Sequence, residues 1–320
     1  MQDINKKQAI ILLAGLIMFL VVIDSQCYSF EDTCLPDLGV ITTAPTVTSD
    51  QSLLLKSFAH GEINKEWKEK LGAVYTILVS KIITGNYHTF SIASSITLLI
   101  TLYFFSYKIT SNRLSSLISV IILEFSKTFM WYSDSIAYPN FFMVMLLLSL
   151  YPFTKTWIKP ISFIASFVFK AEALAFLPLV MIREKSKKIR LVYLGIALVV
   201  GSIVLALNWI RYDGTINTTN MLYPQIGLYL LDQDMWLLAI LFPVTALLFY
   251  LRKQKVEWSG FILGAMGYCL LFQYVLPIVS TYNAFGYRML PFVVFFAMGV
   301  ALIVSKKDML IQRIKNPKLV

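Results

Sequence analysis

The sequence predicts an all-α protein, a polytopic transmembrane helical bundle of about 9–10 membrane segments whose long first extracytoplasmic loop carries interfacial helices. The first observation is composition: 58% of the 320 residues are hydrophobic and 14% are charged, against about 45–50% and about 25% in soluble domains. The second is that the apolar residues form long unbroken runs, whereas a membrane β-barrel has short alternating segments. Together with a mean hydropathy of +0.70, this excludes a soluble enzyme, a disordered chain and a disulfide-dense secreted domain.

The third observation is the placement of positive charge. The formal net charge is +10, and the basic residues lie in short clusters between the apolar runs, which is the positive-inside pattern. We therefore expect membrane lipids as partners, and no nucleic acid. The pattern predicts an integral protein of the plasma membrane, a single membrane domain over residues 1–320 with a cytoplasmic N-terminus.

The first apolar run, Ile10–Ile23, follows two lysines and is predicted to be an uncleaved anchor, because no good cleavage site follows it. Residues 24–88 then form the extracytoplasmic loop. Within this loop, Leu71–Thr84 is too short to cross a bilayer and carries Lys81, so we expect an amphipathic segment at the outer interface.

Eight further apolar runs follow, and basic clusters at 108–113, 155–159, 183–190, 252–255 and 306–318 place the segments that carry them in the cytoplasm. The runs are Phe90–Tyr107, Leu114–Trp131, Tyr138–Phe153, Pro160–Ile182, Leu191–Ile210, Trp236–Leu251, Phe261–Ser280 and Met289–Val304. This topology leaves the first loop and the segments 132–137, 211–234 and 281–287 on the outer side.

The run Pro160–Ile182 has basic clusters at both ends, although it is long enough for only one crossing. Lys170 and Glu172 lie in its middle, where charges are costly. Two half-helices that meet at this polar turn would explain both facts, so we predict a broken or re-entrant helix pair over 160–182. The alternative is a single span with one basic loop outside.

Four polar residues on the outer side are candidates for chemistry, and each has a simpler structural explanation. Asp50 and Asp134 stand where they could cap helices or lie in a solvated turn. Arg211 and Arg288 follow or precede spans, where arginines snorkel to the interface but can also grip a lipid phosphate.

Glu124 and Lys127 lie one helical turn apart inside a predicted span. They could form a local ion pair that faces the bundle interior. The alternative is that they line the wall of a cavity.

This arrangement resembles the GT-C superfamily of integral membrane glycosyltransferases, which includes the protein O-mannosyltransferases and the lipid A aminoarabinose transferases. Pro45, Asp50, Ala59 and Gly61 follow the order of the acidic motif in that family's first outer loop. Gln51 stands where the family usually has a second acid, and this departure leaves metal dependence and the acceptor class open.

Three later segments are also similar to the family. Leu71–Gly85, with Tyr75 and Lys81, is similar to its interfacial helix motif, although the family's His-Pro-Pro is missing. Residues 132–138 resemble its outer turn after the third span. Phe169-Lys170 followed by Leu177-Pro178 is similar to its broken helix pair.

The resemblance implies an inverting glycosyltransferase that moves a sugar from a polyprenyl-phosphate donor to a glycan, lipid or protein acceptor on the extracytoplasmic side. It implies Asp50 as the general base, and Lys170, Arg211 and Arg288 as ligands of the leaving phosphate. Asp134 would orient the acceptor or assist a divalent metal ion, the one cofactor to be considered.

Two other functions remain alternatives. One is a glycan enzyme similar to the O-antigen polymerases, although these usually carry their large outer loop later in the chain. The other is a non-catalytic membrane transporter or scaffold, but a transporter should show discontinuous helices in both halves, and only 160–182 has that pattern.

Overall fold

The structure is a computed structural model in which every regular element of the described residues is a helix. The described residues are 3–27, 82–84, 89–133, 139–152, 157–169, 171–209, 234–279 and 289–315. The predicted all-α class is therefore confirmed for this part of the chain.

These ranges contain twelve α-helices and one 3₁₀ segment, Ala171–Phe176. The helices are α1 Lys6–Cys27, α2 Thr89–Thr110, α3 Arg113–Glu124, α4 Lys127–Ser133, α5 Pro139–Leu150, α6 Ile158–Phe169, α7 Leu177–Arg183, α8 Lys187–Trp209, α9 Met235–Lys253, α10 Ser259–Val279, α11 Leu290–Ser305 and α12 Lys307–Lys315.

Most helices coincide with the apolar runs, but two differ from the prediction. Helix α1 continues to Cys27, four residues beyond the run that ends at Ile23. The run Leu114–Trp131 was expected to be one span and is instead divided, because α3 ends at Glu124 and α4 begins at Lys127.

Within the described residues, one helical stretch, Ile92–Thr110, is both long and apolar enough to cross a membrane, with a mean hydropathy of 1.5 over 19 residues. Four shorter apolar helices accompany it: Asn140–Leu150, Ala173–Arg183, Ser259–Leu271 and Leu290–Ser305. A single such helix also occurs as the core helix of soluble proteins, and no membrane is present in the structure, so the polytopic bundle stays a proposal.

The chain divides into two compact units. Unit 1 comprises Met1–Leu16, Leu99–Phe129 and Leu205–Val320, and unit 2 comprises Ile17–Leu98 and Met130–Val204. Each is described by itself.

Helix α11 is the centre of unit 1. Its residues from Leu290 to Gly299 are all buried, as expected for a helix that is apolar on every side and enclosed by others. It packs against α3, α9 and α10. Gly299 permits this approach, because a Cβ built there would lie 3.0 Å from a methyl of Leu248 and 3.3 Å from one of Ile262.

Three positively charged segments of unit 1 lie at one end. The Asp3 carboxylate accepts a hydrogen bond from the Arg113 backbone N–H at 2.8 Å, which joins the start of α1 to the start of α3. The rings of Phe105 and Trp258 are 5.4 Å apart, which brings the last turns of α2 to the connection between α9 and α10. These contacts place the three segments at the same end of unit 1.

Unit 2 contains α5, α6, the 3₁₀ segment and α7, with the closest packing between α5 and α6. Phe142 of α5 lies 5.7 Å from Phe176, ring to ring, and Phe163 of α6 lies 5.5 Å from Tyr193 of α8. Near the start of α5, the Asn140 amide donates to Ser95 Oγ at 2.6 Å.

Candidate functional site

The five residues predicted to form the site, Asp50, Asp134, Lys170, Arg211 and Arg288, lie outside the described residues. So does almost all of the loop 24–88, apart from a few residues at 24–27 and 82–84. The structure does describe the elements that lead to these positions.

Asp234 accepts four hydrogen bonds, and the sequence analysis did not single it out. It immediately precedes α9 and is 1% exposed. Its Oδ1 accepts from the Lys127 N–H at 2.8 Å. Its Oδ2 accepts from the hydroxyls of Ser126 at 2.9 Å and Thr128 at 2.7 Å, and from the Thr128 N–H at 3.4 Å.

These contacts explain why the predicted span is divided. The first N–H groups of a helix have no partners within the helix, and the Asp234 carboxylate supplies acceptors for the first two of α4. A negative charge is also favourable at a helix N-terminus. The Ser126 hydroxyl also accepts from the Phe129 N–H at 3.4 Å, so Asp234 and the local cap stabilise this helix start together. Asp234 in addition ties the start of α9 to the junction of α3 and α4.

Glu124 ends α3 at this junction and has an unusual environment. It is 1% exposed, and neither carboxylate oxygen has a hydrogen-bond partner among the described residues. The expected ion pair with Lys127 is not formed, because the helix is broken between them and the Lys127 side chain is exposed. A buried acid without a partner is costly.

Glu124 and Asp234 lie at the end of unit 1 opposite to its positively charged end, since α3 runs from Arg113 to Glu124. Helix α11 runs in the same direction as α9, because Trp236 lies near Phe296 and Leu248 near Gly299. The end of α3 and the starts of α9 and α11 therefore share this end. In the sequence, the segment 210–233 directly precedes Asp234, and the segment 280–288 directly precedes Met289.

The segment 158–184 of unit 2 folds back on itself. The Lys159 ammonium lies 2.9 Å from a carboxylate oxygen of Glu184, although 25 residues separate them. A continuous helix of that length would place them about 38 Å apart. Within this segment, α6 ends at Phe169, and the 3₁₀ segment Ala171–Phe176 and then α7 lead back toward Lys159.

Glu184 closes this hairpin through several contacts. Its other oxygen accepts from the Ser186 N–H at 2.8 Å. Burial raises the pKa of Glu184, but the Ser186 hydrogen bond and the hydrogen bond and charge of Lys159 outweigh it, so the pKa lies below its ordinary value of 4.5. The sequence analysis missed Glu184, which stands as the one acid in the basic cluster 183–190.

No three His, Cys, Asp or Glu side chains converge to ligate a metal ion in the part of the chain that the structure describes. The residues that could serve such an ion in the proposed site, Asp50 and Asp134, lie outside that part. The described geometry therefore offers two arrangements of interest: the acidic junction of unit 1 and the folded-back segment of unit 2.

Comparison of the chain with family models, with curated proteins and with solved structures gives no match in any of the three.

Proposed function

We propose that the chain is a polytopic membrane glycosyltransferase of the GT-C type, which transfers a sugar from a polyprenyl-phosphate donor to an acceptor on the extracytoplasmic side. Its site would be formed by Asp50, Asp134, Lys170, Arg211 and Arg288. Two observations support the membrane location. Hydrophobic residues make up 58% of the chain, and the positively charged connections of unit 1 are grouped at one end.

The folded-back segment 158–184 is the observation that carries the proposal. In lipid, a break in a helix is tolerated where it is buried in protein or lines a water-filled cavity. Helix α6 ends at Phe169 and the 3₁₀ segment begins at Ala171, and the residue between them in the sequence is Lys170, which resembles the lysine of the family's broken helix pair. A lysine at the turn of a re-entrant hairpin would present its charge to the phosphate of a lipid-linked donor.

The transfer is a single inverting displacement. An acceptor hydroxyl attacks C1 of the sugar, and the Asp50 carboxylate takes its proton. The bond between C1 and the phosphate oxygen breaks, and polyprenyl phosphate leaves with the electron pair. Lys170, Arg211 and Arg288 stabilise the charge that develops on this phosphate.

The test uses the full chain in membranes, which supply the acceptor, with a panel of polyprenyl-phosphate-linked mannose, glucose, N-acetylglucosamine and aminoarabinose. Wild type should consume one donor and release polyprenyl phosphate. Asp50→Asn should fold normally and lose about 10²–10⁴ in rate. The matched control is Asp37→Asn, which removes a charge from the same loop.

If no donor of the panel is consumed by wild type, the proposed activity is wrong. If Asp50→Asn and Asp37→Asn transfer equally well, Asp50 is not the base. A cap at position 50 would contribute only about 1 kcal/mol of stability, so a loss of transfer without a loss of folded protein separates the two roles.

A further inference from the structure

An apolar groove runs between α9 and α10 of unit 1. Its volume is about 360 Å³, and it is lined by Leu241 and Thr245 of α9 and by Leu263, Gly267 and Leu270 of α10, among others. Thr245 offers no hydrogen-bond donor to a ligand, because its hydroxyl donates to backbone carbonyls of its own helix. The groove is therefore suited to a hydrocarbon chain.

The helix faces that line the groove lead toward the positively charged connection between the two helices. Arg252 lies seven residues, or two helical turns, after Thr245 on the same face of α9, and Gly260 lies seven residues before Gly267 on the same face of α10. These two positions touch, since a Cβ built at Gly260 would lie 3.5 Å from Arg252 Cδ. Arg252 is therefore about 10 Å along the helix from Thr245, beyond the residues that line the groove.

The connection carries three cations, Arg252, Lys253 and Lys255, and one acid, Glu257. The three basic side chains are exposed, and none of them forms an ion pair within the described residues. Lys253 lies over the ring of Phe249 at 5.5 Å, which keeps its charge beside α9. An apolar channel that ends in unpaired cations is complementary to a lipid with an anionic head.

We propose that this groove binds one anionic phospholipid of the cytoplasmic leaflet, with an acyl chain along Thr245 and Gly267 and the phosphate at Arg252 and Lys253. Basic pockets between helices on the cytoplasmic side recognise anionic head groups. The inference rests on the proposed membrane location but not on the proposed transfer reaction, whose donor would have its phosphate at the opposite surface.

Native mass spectrometry of the purified full chain in detergent tests the proposal. The probes are phosphatidylglycerol and phosphatidylcholine with the same acyl chains, and undecaprenyl phosphate as a competitor. We expect one tightly bound phosphatidylglycerol and weaker binding of phosphatidylcholine. The double variant Arg252→Gln/Lys253→Gln should weaken the binding of phosphatidylglycerol about 30-fold and leave the binding of phosphatidylcholine unchanged. The control Lys306→Gln/Lys307→Gln should change the binding of neither lipid.

A second pair of variants tests the acyl channel. A Cβ built at Gly267 has no atom within 4 Å, so Gly267→Leu projects its side chain into the groove. This variant should weaken the binding of both phospholipids about tenfold. Gly195→Leu, at an equally open position on α8, should have no effect. The proposal is overturned if the two phospholipids bind equally, if each variant matches its control, or if undecaprenyl phosphate displaces phosphatidylglycerol at lower concentration.

Discussion

Replacement of Asp234 by alanine should destabilise the protein more than replacement of any exposed acid. The side chain is 1% exposed, and its removal leaves two buried hydroxyls and the Lys127 N–H without their acceptor. The hydroxyls can turn toward backbone carbonyls, but the N–H cannot. A buried donor without a partner costs about 1–3 kcal/mol, and the lost charge-assisted bonds raise the total to about 3–5 kcal/mol.

Asp234→Asn should cost less, about 1–2 kcal/mol. The amide oxygen can still accept from the Lys127 N–H, and the hydroxyls of Ser126 and Thr128 can rotate to accept from the amide nitrogen. The matched control is Asp308→Ala, which removes an acid from the first turn of α12. Asp308 is exposed, so this control should cost under about 1 kcal/mol.

The assay is unfolding of the purified chain in mixed detergent micelles, followed by circular dichroism. A double-mutant cycle of Asp234→Ala with Thr128→Ala should give a coupling of about 1.5–3 kcal/mol, because their side chains are hydrogen-bonded at 2.7 Å. Two results would refute the reasoning. One is a free energy of unfolding for Asp234→Ala equal to that of Asp308→Ala, and the other is a double-mutant cycle whose coupling free energy is zero.

Two further outcomes follow from the packing and the charges. Gly299→Leu should destabilise unit 1 by about 1–3 kcal/mol. Gly264→Leu is the control and should leave the thermal midpoint unchanged, because a Cβ built at Gly264 has no atom within 4 Å. Equal thermal midpoints for the two variants would contradict the packing argument. Folding lowers the pKa of Glu184 from 4.5. The ionised Glu184 therefore contributes to the free energy of unfolding above pH 4.5, and this contribution is lost as the pH falls through the lowered pKa. Glu184→Gln and Lys159→Met should flatten the acid limb of the stability profile, and an unchanged limb in both would contradict the role of this pair.

The helices could be predicted from the sequence because long apolar runs and the residues that end them are local features. Helix α3 begins where Asn112 accepts from the Ser115 N–H at 2.8 Å, a cap that lies three residues from its donor. Helix α9 ends in Arg252 and Lys253, as the helix dipole favours. Such signals lie within one helical turn of the helix end that they determine.

The long-range contacts could not be predicted in the same way. The partners of Asp234 lie 106–108 residues earlier in the chain, and an aspartate beside an apolar run is equally consistent with a solvated loop. Lys159 and Glu184 are brought together only by the turn between α6 and α7. The five residues of the predicted site lie outside the described residues, so their roles stay predictions.

Glu124 illustrates how one such contact changes the meaning of a sequence pattern. An acid and a lysine at i and i+3 form a pair only if the helix between them is continuous. A new helix starts at Lys127, where Ser126 and Asp234 accept from its first N–H groups, so the lysine is exposed while the acid is buried at the end of α3. The break between α3 and α4 therefore leaves Glu124 without the local partner that its spacing suggests. Because a buried acid without a partner reduces stability, the same two residues that would stabilise a continuous helix instead leave α3 ending in a carboxyl group that costs folding free energy.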